Sequence, residues 1–269
     1  MQTCRIKNIE VGGSAPVRLM GVINCSPESF FEQSYTPPEK IFEKACELKD
    51  KGADIIDIGA RSTAPDSPEI SISEETDRLK RTLKEFTGSG IAVSVDTMYP
   101  EVLSACLHYD IDCINDIHGL ANENYAKVAG DSGLPAILMA ADKIPGDSSG
   151  FDSVYSTLKT VMERADKAKI NDYILDPAIG KWTPERTLEN DWELCRRFSE
   201  FLDLNRPVLA AVSRKTFIGE LVDKPAEGRL AGTLAVTFRL LMDGASIVRA
   251  HDVSDTKDLI RVFEKLNRL

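Results

Sequence analysis

The chain has 269 residues, of which 42% are hydrophobic, and a formal net charge of −10. That length suits one large α/β domain or two small ones. The acidic balance argues against nucleic acid or an anionic membrane surface as a partner. The sequence shows neither a signal-peptide pattern at its start nor an apolar run of membrane length, so we expect a soluble, cytoplasmic protein.

After a short lead over residues 1–17, which we predict to be a hairpin that closes one end of the fold, strands and helices alternate. The predicted strands are Leu19–Asn24, Ile55–Ile58, Ile91–Asp96, Cys113–Asp116, Pro135–Met139, Tyr173–Asp176, Val208–Val212 and Ser246–Arg249. The predicted helices are Pro38–Lys51, Ser73–Phe86, Tyr99–Leu107, Asn122–Asp131, Phe151–Lys167, Leu188–Phe201, Ala226–Met242 and Val253–Leu269. Four glycines stand just after predicted helices, where a left-handed residue often ends a helix: Gly52, Gly88, Gly133 and Gly244.

This alternation indicates a (β/α)8 TIM barrel, because about eight strand–helix units in about 250 residues is the usual size of that fold. We therefore expect residues 1–269 to form a single domain. A doubly wound open sheet is the alternative, since periodicity does not distinguish a closed sheet from one with open edges.

The stretch Pro207–Gly219 contains an apolar run of strand length that stops at Ser213 and is followed at once by two cations. In a parallel barrel, the carboxyl end of such a strand points to the mouth where the chemistry takes place. Lys215 would then stand in a pocket, on a stem long enough to lie across a flat ligand. The alternative is that Arg214 and Lys215 are solvated charges of a loop.

Polar side chains end nearly every predicted strand. They are Asn24, Asp57, Asp96, Asn115 with Asp116, Asp176, Ser213 with Lys215, and Arg249 with His251. In a barrel these ends converge on one rim. Carboxylates beside amides suit the edge of a heterocycle that presents N–H and C=O groups, and Arg249 with His251 suits an anion such as phosphate.

Asn24 offers a neutral oxygen that could help to hold a phosphate-bound Mg²⁺, an ion that keeps much of its water and takes few protein ligands. No cluster of carboxylates or histidines suggests a metal site made by the protein alone, and the six cysteines form no CxxC pair. The residues therefore indicate a barrel enzyme that handles a polar ring and a phosphate-like group.

Seven motifs in a fixed order now carry a resemblance. They are Met20–Phe30, Asp57–Gly59 with Ser62 and Thr63, Ser94–Thr97, Ile114–Ile117, Asp176–Gly180, Ser213–Gly219 and Arg249–Val253. With these motifs, the chain resembles the dihydropteroate synthase family from about Leu19 to Val253. The Ser213–Gly219 motif, SRKTFIG, favours the synthase branch over the related pterin-binding methyltransferases.

The resemblance implies a transferase that joins 6-hydroxymethyl-dihydropterin pyrophosphate to an arylamine, such as p-aminobenzoate, and releases pyrophosphate in folate or related pterin biosynthesis. It implies catalytic roles for Lys215, Asp96 and Arg249. It places the pterin on Asp96, Asn115, Asp176, Lys215 and Met139, and the pyrophosphate on Asn24, Thr63, Arg249 and His251. It places the arylamine on Thr63, Pro65 and Thr216, takes Mg²⁺ as cofactor with Asn24 as its ligand, and suggests a homodimer.

The loops depart from the family pattern. The first reads Ser29–Ser34 where the family has a serine, an aspartate and two glycines. Ala64 stands where an arginine is expected, with Arg61 at an acidic position. The segment Ala178–Trp182 replaces a glycine-rich GIGFGK. Two alternatives therefore stay open: a pterin-dependent methyltransferase or methyl-pterin-binding subunit, and a pterin-binding paralogue without catalysis.

Overall fold

Eight parallel strands form a closed barrel in the computed structural model, which describes residues 2–26, 35–61 and 68–267. The strands, including an amino-terminal pair, are β1 (Cys4–Ile6), β2 (Ile9–Val11), β3 (Arg18–Asn24), β4 (Ile55–Gly59), β5 (Ala92–Asp96), β6 (Cys113–Asp116), β7 (Ala136–Met139), β8 (Tyr173–Asp176), β9 (Leu209–Ala210) and β10 (Ile247–Ala250). The order in the sheet is β8-β7-β6-β5-β4-β3-β10-β9. A parallel bridge between Leu175 and Val208 joins the two outer strands. The barrel prediction is confirmed, and the open sheet is wrong.

Helices follow the strands and cover the outside of the barrel. They are α1 (Ile41–Asp50), α2 (Ile72–Lys84), α3 (Pro100–Cys106), α4 (Glu123–Ser132), α5 (Phe151–Lys167), α6 (Leu188–Arg196), α7 (Thr216–Val222), α8 (Leu230–Met242) and α9 (Val253–Asn267). Three predicted helices are partly 3₁₀, at Pro38–Lys40, Phe198–Leu204 and Ala226–Gly228. Among the described residues, no helix is long and apolar enough to cross a bilayer.

The sequence missed α7, because seven residues that begin directly after Lys215 give too short a pattern to show helical periodicity. The strand predicted over Val208–Val212 is shorter, since only Leu209 and Ala210 lie in the ladder and the backbone turns away before Arg214, whose φ is +57°. The predicted helix stops at Gly52, Gly88, Gly133 and Gly244 all have positive φ.

The interior of the barrel changes from apolar to polar along its axis. Successive residues of a strand point to opposite faces, so every second residue faces inward. The inward residues nearest the amino ends of the strands are apolar and buried: Met20, Ile55, Ala92, Cys113, Ile137, Ile174, Leu209 and Ile247. The antiparallel hairpin β1–β2 packs Cys4, Ile6 and Val11 against this layer, which confirms the predicted hairpin. Two residues further along, five of these eight strands place a polar residue in the inward register: Asp57, Ser94, Asn115, Asp176 and Arg249.

Candidate functional site

The polar side chains predicted at the strand ends do converge at the carboxyl mouth of the barrel. Asp96 on β5 lies opposite Asn115 on β6 in the strand register, and Met139 on β7 lies opposite Asp176 on β8. Arg249 reaches across from β10 to the carboxylate of Asp96, with Nη2 2.9 Å from Oδ2. The parallel ladder therefore brings groups from distant parts of the chain into one cluster.

Asp57 lies at the centre of this cluster and connects its members. Its Oδ2 accepts a hydrogen bond from Arg249 Nε at 2.7 Å and another from Asn115 Nδ2 at 3.0 Å. The carboxylate is fully buried, and no described residue donates to its other oxygen, Oδ1. From the sequence, Asp57 was expected only as one of the polar strand ends at the rim, with no binding role. Its inward position, two residues after Ile55, is the signal that marks it as part of the site.

Asp96 has an unusual protonation equilibrium. Burial and the negative charge of Asp57 raise its pKa from 3.8 to about 7, while the Arg249 guanidinium opposes the rise. Asp96 can therefore exchange a proton near neutral pH. Asp116, on the same rim, is a capping group, since its two oxygens accept the backbone N–H groups of His118 and Leu120 at 2.8 and 2.7 Å.

Lys215 stands directly before α7, in a slot formed by the Trp182 ring and the backbone of Gly180. Its ammonium is 4.8 Å from the centroid of the Trp182 ring, a cation–π geometry, and it packs on the backbone of Gly180. Burial lowers the pKa of Lys215, and the carboxylate of Asp176 opposes that effect. Asp176 itself is fixed by the N–H of Ala178, which donates to Oδ1 at 2.8 Å.

Arg214 has a structural role. Its guanidinium makes two hydrogen bonds to Asp252, at 2.8 and 2.6 Å, and donates to the carbonyls of Ala226 and Glu227. The residue is only 6% exposed. The alternative of two solvated loop charges is therefore wrong: Arg214 ties the start of α7 to the residues before α8 and α9, and Lys215 turns into the mouth.

The other side of the mouth is built by Asn24 and His251. Asn24 is half-buried at the end of β3, where its carbonyl accepts the N–H of Thr36 at 3.0 Å. His251 Nδ1 lies 3.0 Å from Ser213 Oγ. Burial and the nearby Arg249 charge lower the pKa of His251 to about 3, so its imidazole is neutral at pH 7. It can bind an anion by a hydrogen bond but adds no positive charge.

The remaining predicted site residues vary in their placement. Met139 is buried at the end of β7, and Thr216 is the exposed first residue of α7. Thr63 and Pro65 lie outside the described residues, as do Ser29–Ser34. Arg61 hydrogen-bonds Glu75 at 2.7 Å and the carbonyl of Ile70 at 2.7 Å.

Comparison with known proteins gives consistent results. The pterin binding enzyme family matches residues 20–251. The dihydropteroate synthase type-3 of Escherichia coli is 32% identical, over 93% of this chain and 99% of the relative. The bifunctional dihydropteroate synthase/dihydropteroate reductase of Helicobacter pylori is 33% identical, over 93% of this chain and 68% of the relative.

Solved structures agree as well. The dihydropteroate synthase of Coxiella burnetii in complex with pteroic acid has a TM-score of 0.87 at 28% identity, over 99% of this chain and 98% of that one. The dihydropteroate synthase of Yersinia pestis in complex with a sulfonamide drug has a TM-score of 0.89 at 28% identity, over the full length of both chains.

Proposed function

Because this chain belongs to the dihydropteroate synthase family of pterin-binding enzymes, we propose that it joins 6-hydroxymethyl-dihydropterin pyrophosphate to an arylamine and releases pyrophosphate. One observation carries the proposal: the ring-binding groups Asp96, Asn115 and Asp176 share one mouth with Arg249, which bonds directly to Asp96. A site of this kind holds a polar ring next to an anion.

In this proposal the pterin lies on the inward polar layer. Asp96 and Asp176 accept hydrogen bonds from the N–H groups of the ring, and the Asn115 amide completes the edge. Lys215 packs across the face of the ring, and Met139 forms an apolar wall. Because the pKa of Asp96 is raised to about 7, its side chain can be a neutral acid that donates to a ring acceptor or a carboxylate that accepts from a ring N–H.

The reaction then needs charge stabilisation more than it needs a nucleophile. Departure of pyrophosphate builds negative charge, which Arg249 stabilises and to which the neutral His251 can donate a hydrogen bond, with Thr63 assisting. The methylene carbon left behind is cationic, and the Asp96 carboxylate stabilises it. No covalent protein intermediate is required, because the arylamine can attack the methylene carbon directly. Burial also raises the pKa of the Cys25, Cys106 and Cys195 thiols to about 12, which makes these thiols poor nucleophiles.

The arylamine has only to be placed in line with the breaking bond, because an aromatic amine is already a competent nucleophile. Thr63, Pro65 and Thr216 are the residues that we assign to this task. Thr216 follows Lys215 directly and is exposed at the mouth, where a second substrate would enter.

Mg²⁺ fits the site as an ion carried by the pyrophosphate. The described residues contain no group of three histidine, cysteine or carboxylate ligands for a metal, whereas the half-buried Asn24 offers one neutral amide oxygen. One protein ligand plus phosphate oxygens and water is the coordination that Mg²⁺ commonly adopts. When bound, Mg²⁺ would neutralise charge on the leaving group.

Calorimetric titration with a dihydropterin-methyl pyrophosphate analogue, with and without Mg²⁺, tests this proposal. We expect Mg²⁺ to strengthen binding and Lys215→Ala to weaken it at least tenfold. Lys181 is an exposed lysine on a neighbouring loop, and the control Lys181→Ala should leave binding unchanged. Pyrophosphate release should follow when an arylamine is added. Binding of a plain pterin with no effect of Mg²⁺ or pyrophosphate would instead favour methyl transfer, and binding without turnover would favour a non-catalytic pterin binder.

We also propose that the protein is a homodimer. Helices α6, α7 and α8 enclose an apolar groove of about 440 Å³, lined by Ile218, Leu221 and Val236 among others, and Leu221 is 69% exposed. Exposed apolar surface of this kind is typical of an interface. Sedimentation should give a dimer that Leu221→Glu converts to a monomer, and a monomeric parent protein would refute this part.

Finally, we propose a cytoplasmic location for the protein. All six cysteines are free thiols, and five of them are buried, as is usual for proteins of a reducing compartment. Fractionation of cells that express the full chain would test this directly, and recovery in an oxidising compartment would refute it.

A further inference from the structure

A buried ion pair lies in the segment after β8, where the sequence departs from the family pattern. Arg186 Nε donates to Asp191 Oδ1 at 3.1 Å, and the two residues are 1% and 0% exposed. The pterin-binding, anion-binding and arylamine roles proposed above do not include either residue.

The pair connects two loops at the mouth to the slot that holds Lys215. Asp191 Oδ1 also accepts the N–H of Gly180 at 2.8 Å, and Arg186 Nη1 donates to the carbonyl of Ser148, in the loop after β7, at 3.3 Å. A Cβ atom at Gly180 would lie only 3.0 Å from Lys215 Nζ, and φ there is +135°. The backbone that Asp191 holds is therefore the surface on which the ammonium rests.

Stability alone does not account for this arrangement. Among the described residues, nothing pairs with Arg186 Nη2 or with Asp191 Oδ2, although both atoms are buried. A buried ion pair with unmatched polar atoms commonly stabilises a protein no better than well-packed apolar residues of the same volume. The charges therefore call for an explanation beyond packing.

Resting on the proposed function, we infer that Arg186 and Asp191 are positioning residues for Lys215. They fix the Gly180 backbone against the ammonium and place a carboxylate near it, so that Lys215 is held ready to cover the face of the pterin.

The charges around Lys215 agree with this role. Burial lowers the pKa of Lys215, Asp176 and Asp191 raise it, and Arg249 and Arg186 lower it. Loss of the Asp191 charge should therefore lower the pKa of Lys215 further. If the Gly180 backbone also moved away, the Lys215 amine would lose its contact with Trp182.

Trp182 supplies a reporter that needs no ligand. The chain has two tryptophans, and Trp192 packs edge-on against Phe217 at 4.7 Å, so Trp192→Phe keeps an aromatic contact and leaves Trp182 as the sole tryptophan. Its emission should change as the Lys215 amine 4.8 Å away loses its proton, with a midpoint below the ordinary lysine pKa, and Lys215→Met should abolish this titration. A titration that survives Lys215→Met would overturn the inference at its first step.

In the Trp192→Phe background, Asp191→Asn should lower the midpoint or remove the titration. Gly180→Ala, which pushes on the ammonium directly, should also disturb it. Glu189→Gln, which breaks an exposed pair with Arg196 on α6, should leave it unchanged. If folded Asp191→Asn had the same midpoint as its parent, the Arg186–Asp191 pair would have only a structural role, and the inference would be refuted.

If Asp191→Asn does not fold, the double variant Arg186→Met, Asp191→Leu removes both charges and keeps apolar volume. The two charges act on Lys215 in opposite directions, so here we expect the Trp182 titration to be lost with the support of Gly180, and a titration like that of the parent would refute the inference. Pterin affinity gives a second measurement, in which Asp191→Asn should bind at least tenfold more weakly. Because the fluorescence titration uses no ligand, a parent protein that fails to bind pterin would refute the proposed function and leave the inference on Lys215 to be judged separately.

Discussion

Replacing Asp96 by asparagine should make the protein more stable at pH 8 and nearly unable to bind a pterin. The carboxylate of Asp96 is buried in the fields of Asp57, Glu75 and Asp116, and its pKa is raised from 3.8 to about 7 even though Arg249 opposes the rise. At pH 8 Asp96 is therefore ionised in the folded protein, where its charge costs more free energy than it does in the unfolded chain, and this difference destabilises the fold. Asparagine removes that charge and keeps an oxygen that can accept from Arg249.

The magnitude follows from linkage. A pKa difference of about 3 between the folded and unfolded states, at about 1.4 kcal/mol for each pKa unit, gives an upper bound of about 4 kcal/mol. This bound already contains the attraction to Arg249. Because the Asp96 side chain is 17% exposed and solvent screens part of the effect, we expect a gain of about 2 kcal/mol in the free energy of unfolding. Below about pH 4 both states bind the proton and the gain should vanish. It should grow as pH rises from 4 to 7 and stay constant above that.

Urea denaturation of Asp96→Asn and of the parent protein from pH 4 to pH 8.5 would measure this gain. The exposed Asp131→Asn is the control and should track the parent at every pH. A variant that is less stable than the parent at pH 8, or a difference that does not change with pH, would refute the reasoning. Either result would mean that the bond to Arg249 outweighs the burial of the carboxylate.

Two further substitutions test other parts of the site. Arg249→Met should lower the rate of pyrophosphate release about 100-fold at saturating substrates, since one donor to the developing charge is lost; a change confined to KM would contradict this. Arg214→Met should lower the free energy of unfolding by about 3 kcal/mol, because it leaves Asp252 unpaired in a mostly buried place. The exposed Arg239→Met is its control in urea denaturation, and equal losses in the two variants would show that Arg214 does not tie the loops together.

The sequence predicted the barrel and most of the site because both depend on local periodicity. An inward residue recurs every second position of a strand, so Asp57 and Asp96 could be assigned to one mouth before any contact was known. Closure of the ring could not be predicted in this way, since it depends on the pairing of Leu175 with Val208, which are far apart in the sequence.

Contacts between side chains on different elements could not be predicted from the sequence either. Arg61 pairs with Glu75, and nothing in its local pattern showed which group it would reach. Arg186 and Asp191 read as ordinary charges of a loop and a helix, because their burial comes from the packing of two loops against each other. The neutral state of His251 is a further example, since it results from the Arg249 charge and from burial.

The β1–β2 hairpin has a kinetic consequence. It packs against the apolar layer and covers the amino end of the barrel, so we expect substrates and products to enter and leave at the opposite end. In the proposed function, a pterin on the inner layer with Asp57 and Asn115 would have to arrive before an arylamine occupies the rim near Thr216, and would have to depart after the rim is cleared. We therefore expect a compulsory order, in which the pterin substrate binds before the arylamine and the joined product leaves after pyrophosphate.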